Sequence, residues 1–92
     1  MKISYSPVAL AQLDNIFAYI ARDNPIAAAE VVTEIEAVID HLAHFPFAGR
    51  LTDEGGVRMF VLSRYPYLIF YKVLPNEKLR ILRILHGAQD RR

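Results

Sequence analysis

The sequence predicts an α+β fold: a two-layer sandwich of order β-α-α-β-β-β, with a helical hairpin on one face of an antiparallel sheet. Three observations carry this expectation. Ser6-Pro7 and Asn24-Pro25 are successive helix starts, each followed by apolar residues at helical spacing. Residues 57–62, 67–74 and 79–85 are apolar runs joined by short turns, the pattern of antiparallel hairpins. Charge divides the same way. Residues 1–46 carry Lys2 and Arg22 against Asp14, Asp23, Glu30, Glu34, Glu36 and Asp40, a balance of −4; residues 47–92 balance at +5, and the sum is the net +1. An acidic helical layer on an arginine-bearing sheet fits all three.

Each element follows from local chemistry. Lys2–Tyr5 alternates polar and apolar side chains and holds the β-formers Ile3 and Tyr5, a short strand. Ser6 offers a hydroxyl to free N–H groups, and Pro7 lacks the N–H that a first helical residue cannot use. Leu10, Leu13, Phe17 and Ile20, with Ile16 beside them, predict a helix over about 7–22. Asn24 and Pro25 repeat the start signal, and Ala28, Val31, Ile35, Val38, Ile39 and Leu42 form the stripe of a second helix. Pro46 stops that helix near His44. The tight joint at Asp23-Asn24 makes the pair an antiparallel hairpin. Residues 45–50 read as an apolar loop anchored by Phe45 and Phe47, and residues 52–56 as a polar, glycine-rich, mobile one. Arg64-Tyr65-Pro66 and Pro75-Asn76-Glu77 are the strand turns. The first strand has no short route to a hairpin partner and is expected beside a later strand.

Composition narrows the function. Ninety-two residues predict one domain over 1–92, and 53% hydrophobic residues suffice for a core. That fraction is high for so short a chain, so some apolar surface is expected to stay exposed and to serve a partner. The absence of cysteine excludes disulfides and thiol chemistry. No apolar run reaches the roughly 18 residues of a membrane span, and residues 1–5 lack a signal-peptide pattern, so the expected address is the cytoplasm. A pI of about 8.1 is too mild to argue for nucleic acid by itself.

Candidates for chemistry are few. His41 and His44 have helical ligand spacing, but no third ligand stands beside them, and helix-end histidines favoured by the helix dipole are the simpler reading. No serine sits in a strained Gly-x-Ser-x-Gly turn and no glycine loop cradles phosphate, so no metal or cofactor is implied. The arginines carry more. Arg58, Arg80 and Arg83 lie within predicted strands, Arg50 and Arg64 at their approaches, with Tyr65, Tyr67 and Tyr71 interleaved. Since a strand side chain points to one face and the helix-covered face must be apolar, several arginines should collect on the open face or at an edge. Edge charges that block aggregation account for any single one. Arginine with aromatics in a cluster is the composition of binding hot spots and of base-stacking platforms. The expected binding residues are Arg50, Arg58, Arg64, Tyr67, Tyr71, Arg83 and His86.

These residues carry a resemblance. Ser6-Pro7, Leu13, Ile16, Tyr19-Ile20, Asn24-Pro25, Ala28, Ile35, Leu42, Pro46, Gly49-Arg50, Val57-Arg58, Tyr67, Tyr71 and Ile84-Leu85-His86-Gly87 resemble, in that order, the ParE/RelE superfamily of toxins from bacterial type II toxin–antitoxin pairs. The ordered set covers nearly the whole chain. The Asn-Pro-x-Ala-Ala hinge and the Pro-x-x-Gly-Arg loop look most like the ParE, or plasmid-stabilisation, branch. The resemblance implies the RelE/ParE-like sandwich, a small ParD-like antitoxin that folds on binding, and higher-order toxin–antitoxin oligomers.

The branches differ in chemistry. RelE-like members cut messenger RNA by driving the ribose 2′-OH onto its own phosphate, which needs a proton acceptor, cations for the phosphorane and a proton for the leaving oxygen. The RelE pattern has an arginine just after the tyrosine that starts the middle strand and another two residues after the last-strand glycine. Here those places hold Leu68 and Gln89. The resemblance therefore implies a ParE-like toxin that poisons DNA gyrase by binding, without catalytic residues. The alternatives are a messenger RNA endoribonuclease using Arg58, Arg83 and His86, and a regulatory binding domain that has lost toxicity.

Overall fold

Along the chain run β1 (Lys2–Tyr5), α1 (Pro7–Ala21), α2 (Pro25–His44), β2 (Arg50–Leu51), β3 (Val57–Val61), β4 (Tyr67–Leu74) and β5 (Lys78–His86). This computed structural model describes residues 1–87. Both helix caps form as their residues dictate. The Ser6 hydroxyl accepts the Ala9 N–H at 2.9 Å, and Asn24 Oδ1 accepts the Ala27 N–H at 3.0 Å. Ser6 also donates to the carbonyl of Leu82 at 2.7 Å, so the start of α1 is pinned to the last strand.

The sheet order is β1-β5-β4-β3-β2, and β2 to β5 form an antiparallel meander. The two-layer α+β architecture is the expected one; the sheet, however, is mixed. β1 lies parallel to β5, from Lys2 opposite Lys78 to Tyr5 opposite Ile81. A strand separated from its neighbour by a long crossover is free of the antiparallel constraint that a hairpin imposes. The expected apolar loop at 45–50 also ends in a strand: Arg50 and Leu51 pair with Met59 and Arg58. Two residues are too few to show a period-2 pattern.

The main core lies between the helices and one sheet face. Ile35, Ile39 and Leu42 of α2 meet Ile69, Tyr71, Leu79, Ile81 and Ile84, all fully buried. The stripe of α2 is the expected one. That of α1 is turned: Ala9 is buried and Leu13, Ile16 and Ile20 pack on the core, while Leu10 and Phe17 stay exposed. With Val8, Ala9 and Leu10, and again Ile16 and Phe17, adjacent in the sequence, spacing alone does not choose which row faces inward.

A second cluster sits on the opposite sheet face, which neither α1 nor α2 covers. Val57, Met59, Leu68 and Phe70 pack together there, with Leu82 and Leu85 against them. A register shift between Phe70 and Tyr71 skips Leu82 in the ladder, so that Ile81 and Arg83 face successive residues of β4.

Candidate binding surface

Strand alternation sorts the cations. Arg50 stands opposite Met59, Lys72 opposite Val57 and Arg80, and Arg83 opposite Phe70; Lys2, Lys78 and Arg80 extend the same face toward β1. The open face is therefore an apolar floor ringed by Lys and Arg. Arg80 reaches Ser4 Oγ at 3.3 Å. Arg83 lies over the Phe70 ring at 4.5 Å and donates to Glu54 Oε1 at 2.6 Å. Glu54 comes from the 52–56 loop, which folds back across the sheet. The Thr52 hydroxyl donates to the Val57 carbonyl at 3.0 Å and accepts the Glu54 N–H at 3.2 Å. Gly56 has φ +72°, a conformation glycine adopts freely, and a Cβ there would meet Lys72 Cε at 3.0 Å. A cavity of about 470 Å³ lies between this loop and the floor, lined by Arg50, Asp53, Glu54, Met59 and Phe70 among others.

Of the residues expected on the binding surface, Arg50 and Arg83 lie on this face. Arg58 does not: it pairs across from Tyr71 on the helix-covered side. Its guanidinium donates to the Gly49 carbonyl at 2.8 Å and sits over the Phe47 ring at 4.9 Å. Tyr71 is fully buried; its hydroxyl accepts the Gly49 N–H at 2.8 Å and donates to the Pro46 carbonyl at 2.7 Å. These two residues fasten the 45–50 loop. The expectation that strand arginines avoid the helix-covered face fails at Arg58 because the loop supplies a carbonyl and a ring at the sheet margin. Burial pushes the Tyr71 phenol up from 10.0, opposed by the Gly49 hydrogen bond and the Arg58 charge.

Arg64 is exposed in the β3–β4 turn over the Tyr65 ring, 5.3 Å from its centroid. Tyr67 and His86 meet edge to face at 5.4 Å, on the helix side of the sheet. They line a cavity of about 420 Å³ with Gln12, Asn15 and Tyr19 of α1. Burial, then the Tyr19 phenol, raises the Tyr67 pKa above 10.0. Here β5 has outrun β1, and the Gln12 side chain stands in for a strand by accepting the Ile84 N–H at 2.7 Å. His86 and Arg83 thus serve different faces, and Arg58 belongs to a third site. His41 and His44 are exposed; His41 stacks on Phe45 at 4.8 Å, and His44 Nδ1 lies 2.9 Å from the Asp40 carbonyl. Among the described residues no three His, Cys, Asp or Glu gather as a metal site, and no helix is long and apolar enough to cross a membrane. Gln89 lies outside the described residues.

Sequence reasoning missed Glu54, Gln12 and the apolar floor. The floor was readable from Leu68, Phe70 and Lys72 as alternate positions of one strand. Glu54 and Gln12 act across long sequence separations and leave no local signal.

Comparison with known proteins decides the family. The family model described as ParE toxin of type II toxin–antitoxin system, parDE, matches residues 3–91. The chain belongs to the ParE toxin family. The protein Y4kP of Sinorhizobium fredii is 39% identical over 97% of this chain and 91% of its own length. Toxin RelE2 of Caulobacter vibrioides is 35% identical over 88% of this chain and 89% of its own. Among solved structures, a chain of the chromosomal ParDE system from P. aeruginosa superposes with a TM-score of 0.79 at 28% identity, over 94% of this chain and 95% of that one. A chain of the intact E. coli RelBE toxin–antitoxin complex superposes at 0.67 over 90% and 92%; at 13% identity it shows the shared fold alone. This ParE-family chain is thus a toxin component of the ParE/RelE type.

Proposed function

We propose that this ParE-family toxin acts in the cytoplasm by binding DNA gyrase, without catalysis or cofactor, and is neutralised by a small ParD-like antitoxin. The observation that carries the non-catalytic reading is Leu68. Where RelE-like nucleases resemble one another in having arginine, this chain has a buried leucine, packed among Val57, Met59 and Phe70. A hydrocarbon cannot stabilise a phosphorane, and loss of one such electrostatic contact costs on the order of a hundredfold or more in rate. The dispersal of Arg58, Arg83 and His86 over separate sites supports the same reading. The ParDE name of the P. aeruginosa structure supports an antitoxin partner. Exposed Leu10, Phe17, Tyr19 and Ile26 give that partner apolar area to cover. A stable complex should bury at least about 1,200 Å² in total and can pair into larger oligomers.

Induction of the toxin alone tests this. Loss of gyrase supercoiling activity, with filamentation and no new RNA ends in primer extension, is expected. Discrete cuts in cellular RNA that vanish in His86→Ala or Arg83→Ala would instead establish the nuclease. Co-purification with the product of the adjacent reading frame tests the antitoxin.

A further inference from the structure

The register of β1 with β5 ends at Tyr5 and Ile81, so beyond Ile81 the last strand has no strand neighbour on that side. Between this stretch and α1 lies the cavity of about 420 Å³, the size of a small-molecule site. Tyr67, Ile84 and His86 form its sheet wall. Gln12, Asn15 and Tyr19 form its helix wall, three and four residues apart on one row of α1. Among the described residues no Lys, Arg, Asp or Glu lines it. It lies on the helix side of the sheet, away from the cationic open face.

Gln12 sets the chemistry of this cavity. Its Oε1 accepts the Ile84 N–H at 2.7 Å. Only an oxygen can accept there, so the amide is fixed in orientation and its nitrogen keeps its N–H donors for a ligand. Asn15 adds an exposed amide that both donates and accepts. The aromatic part is flat and in place. Tyr19 borders the cavity yet is 72% exposed, and Tyr67 meets His86 edge to face at 5.4 Å.

We infer that this cavity binds one uncharged planar heterocycle of the nucleobase class, stacked on Tyr19 and read at its edge by the Gln12 and Asn15 amides. A charged group would lose water here without gaining an ion partner. An aliphatic ligand would leave both amides without partners. A base offers ring acceptors and exocyclic donors to such amides, and a π-face to the phenol ring. A phosphate attached to it meets no cation, so the base alone carries recognition. A free nucleoside and an unpaired nucleotide in a strand share this chemistry. The inference goes beyond the gyrase and antitoxin reading and depends on neither.

The test is fluorescence titration of 2-aminopurine riboside with the full chain. The chain has no tryptophan, so the probe is excited clear of the protein, and stacking on tyrosine quenches it. Saturable quenching is expected, with adenosine and AMP competing to within about twofold of each other. Tyr19→Ala should weaken binding about tenfold, the worth of one stacked base. Gln12→Glu keeps an oxygen for the Ile84 N–H, and with it the fold, but removes the donors and adds a charge. It should weaken binding about tenfold or more. Thermal melts of both variants check that they are folded. A short single-stranded DNA carrying the same base then identifies the source. Tighter binding than the riboside points to a nucleotide in a strand, and weaker binding to a free nucleoside; either supports the site. Absence of saturable quenching overturns the inference, as does full binding by a folded Tyr19→Ala or Gln12→Glu protein. A preference of about tenfold or more for AMP over adenosine also overturns it, because phosphate would then carry recognition.

Discussion

Removing one oxygen atom, in Tyr71→Phe, should destabilise this protein more than most surface truncations. The Tyr71 hydroxyl is buried and uses both its hydrogen-bonding functions on the 45–50 loop, accepting from Gly49 N–H at 2.8 Å and donating to the Pro46 carbonyl at 2.7 Å. Phenylalanine keeps the ring but leaves a buried donor and a carbonyl without this partner. A buried polar group left unpaired costs about 1–3 kcal/mol. With two groups affected, the expected loss is about 2–3 kcal/mol, a large share of the roughly 5–15 kcal/mol that holds a small domain together. For a chain of this size that corresponds to a fall in Tm of roughly 10–20 °C. Urea and thermal unfolding followed by circular dichroism give both quantities. Tyr19→Phe, at a hydroxyl on a highly exposed side chain, is the control and should change stability by less than about 0.5 kcal/mol. A companion variant approaches the same contact from the other side. A Cβ at Gly49 would lie 2.6 Å from the Tyr71 hydroxyl, 2.7 Å from its ring and 3.0 Å from the Met59 carbonyl, so Gly49→Ala should cost about 1–3 kcal/mol through overpacking. A Tyr71→Phe protein within about 1 kcal/mol of wild type would refute the argument that this hydroxyl fastens the loop.

Other expectations follow from the same structure. Ser6→Ala should destabilise more than Asn24→Ala, which loses a solvent-exposed cap worth about 1 kcal/mol, because Ser6 also donates to the Leu82 carbonyl. Paired urea titrations decide this, and the reverse order would refute it. Stability should hold up to about pH 10 and fall above it. Tyr5, Tyr67 and Tyr71 all have pKa values raised above 10.0, first by burial, so the unfolded chain loses these protons before the folded one does. Thermal melts across alkaline pH, with tyrosinate absorbance, should show unfolding and ionisation together. Ionisation of all five tyrosines at ordinary pH in a folded protein would contradict it.

Much of the fold was legible because its signals are local. Ser6-Pro7 and Asn24-Pro25 act within one helical turn, and the meander from β3 to β5 is set by short turns. The parallel pairing of β1 was not legible, since its register is fixed by Lys2 N–H on the Glu77 carbonyl and Ser6 N–H on that of Ile81, partners more than seventy positions away. The surface divides likewise. Arginines in strands were visible, but which face each takes depends on where its strand pairs. Arg58 and Arg83 look alike in sequence; one became a loop fastener and the other part of the open face.

Leu68 shows why that distinction bears on mechanism. Catalysis of RNA cleavage needs a cation held where phosphate charge develops. On the open face Arg83 has its ring and its carboxylate, Arg80 leans to Ser4, and the positions opposite and beyond Arg83 belong to Phe70, Leu68 and Leu85. Such a surface can hold a protein segment through its floor and steer it through its rim. Replacing Leu68 by arginine would not assemble a nuclease, because the new charge would enter a buried apolar cluster of Val57, Met59 and Phe70. Leu68→Arg should therefore lose several kcal/mol of stability and gain no RNA cleavage in primer extension. A stable Leu68→Arg protein that cuts RNA would show that one arginine separates binding from catalysis on this sheet.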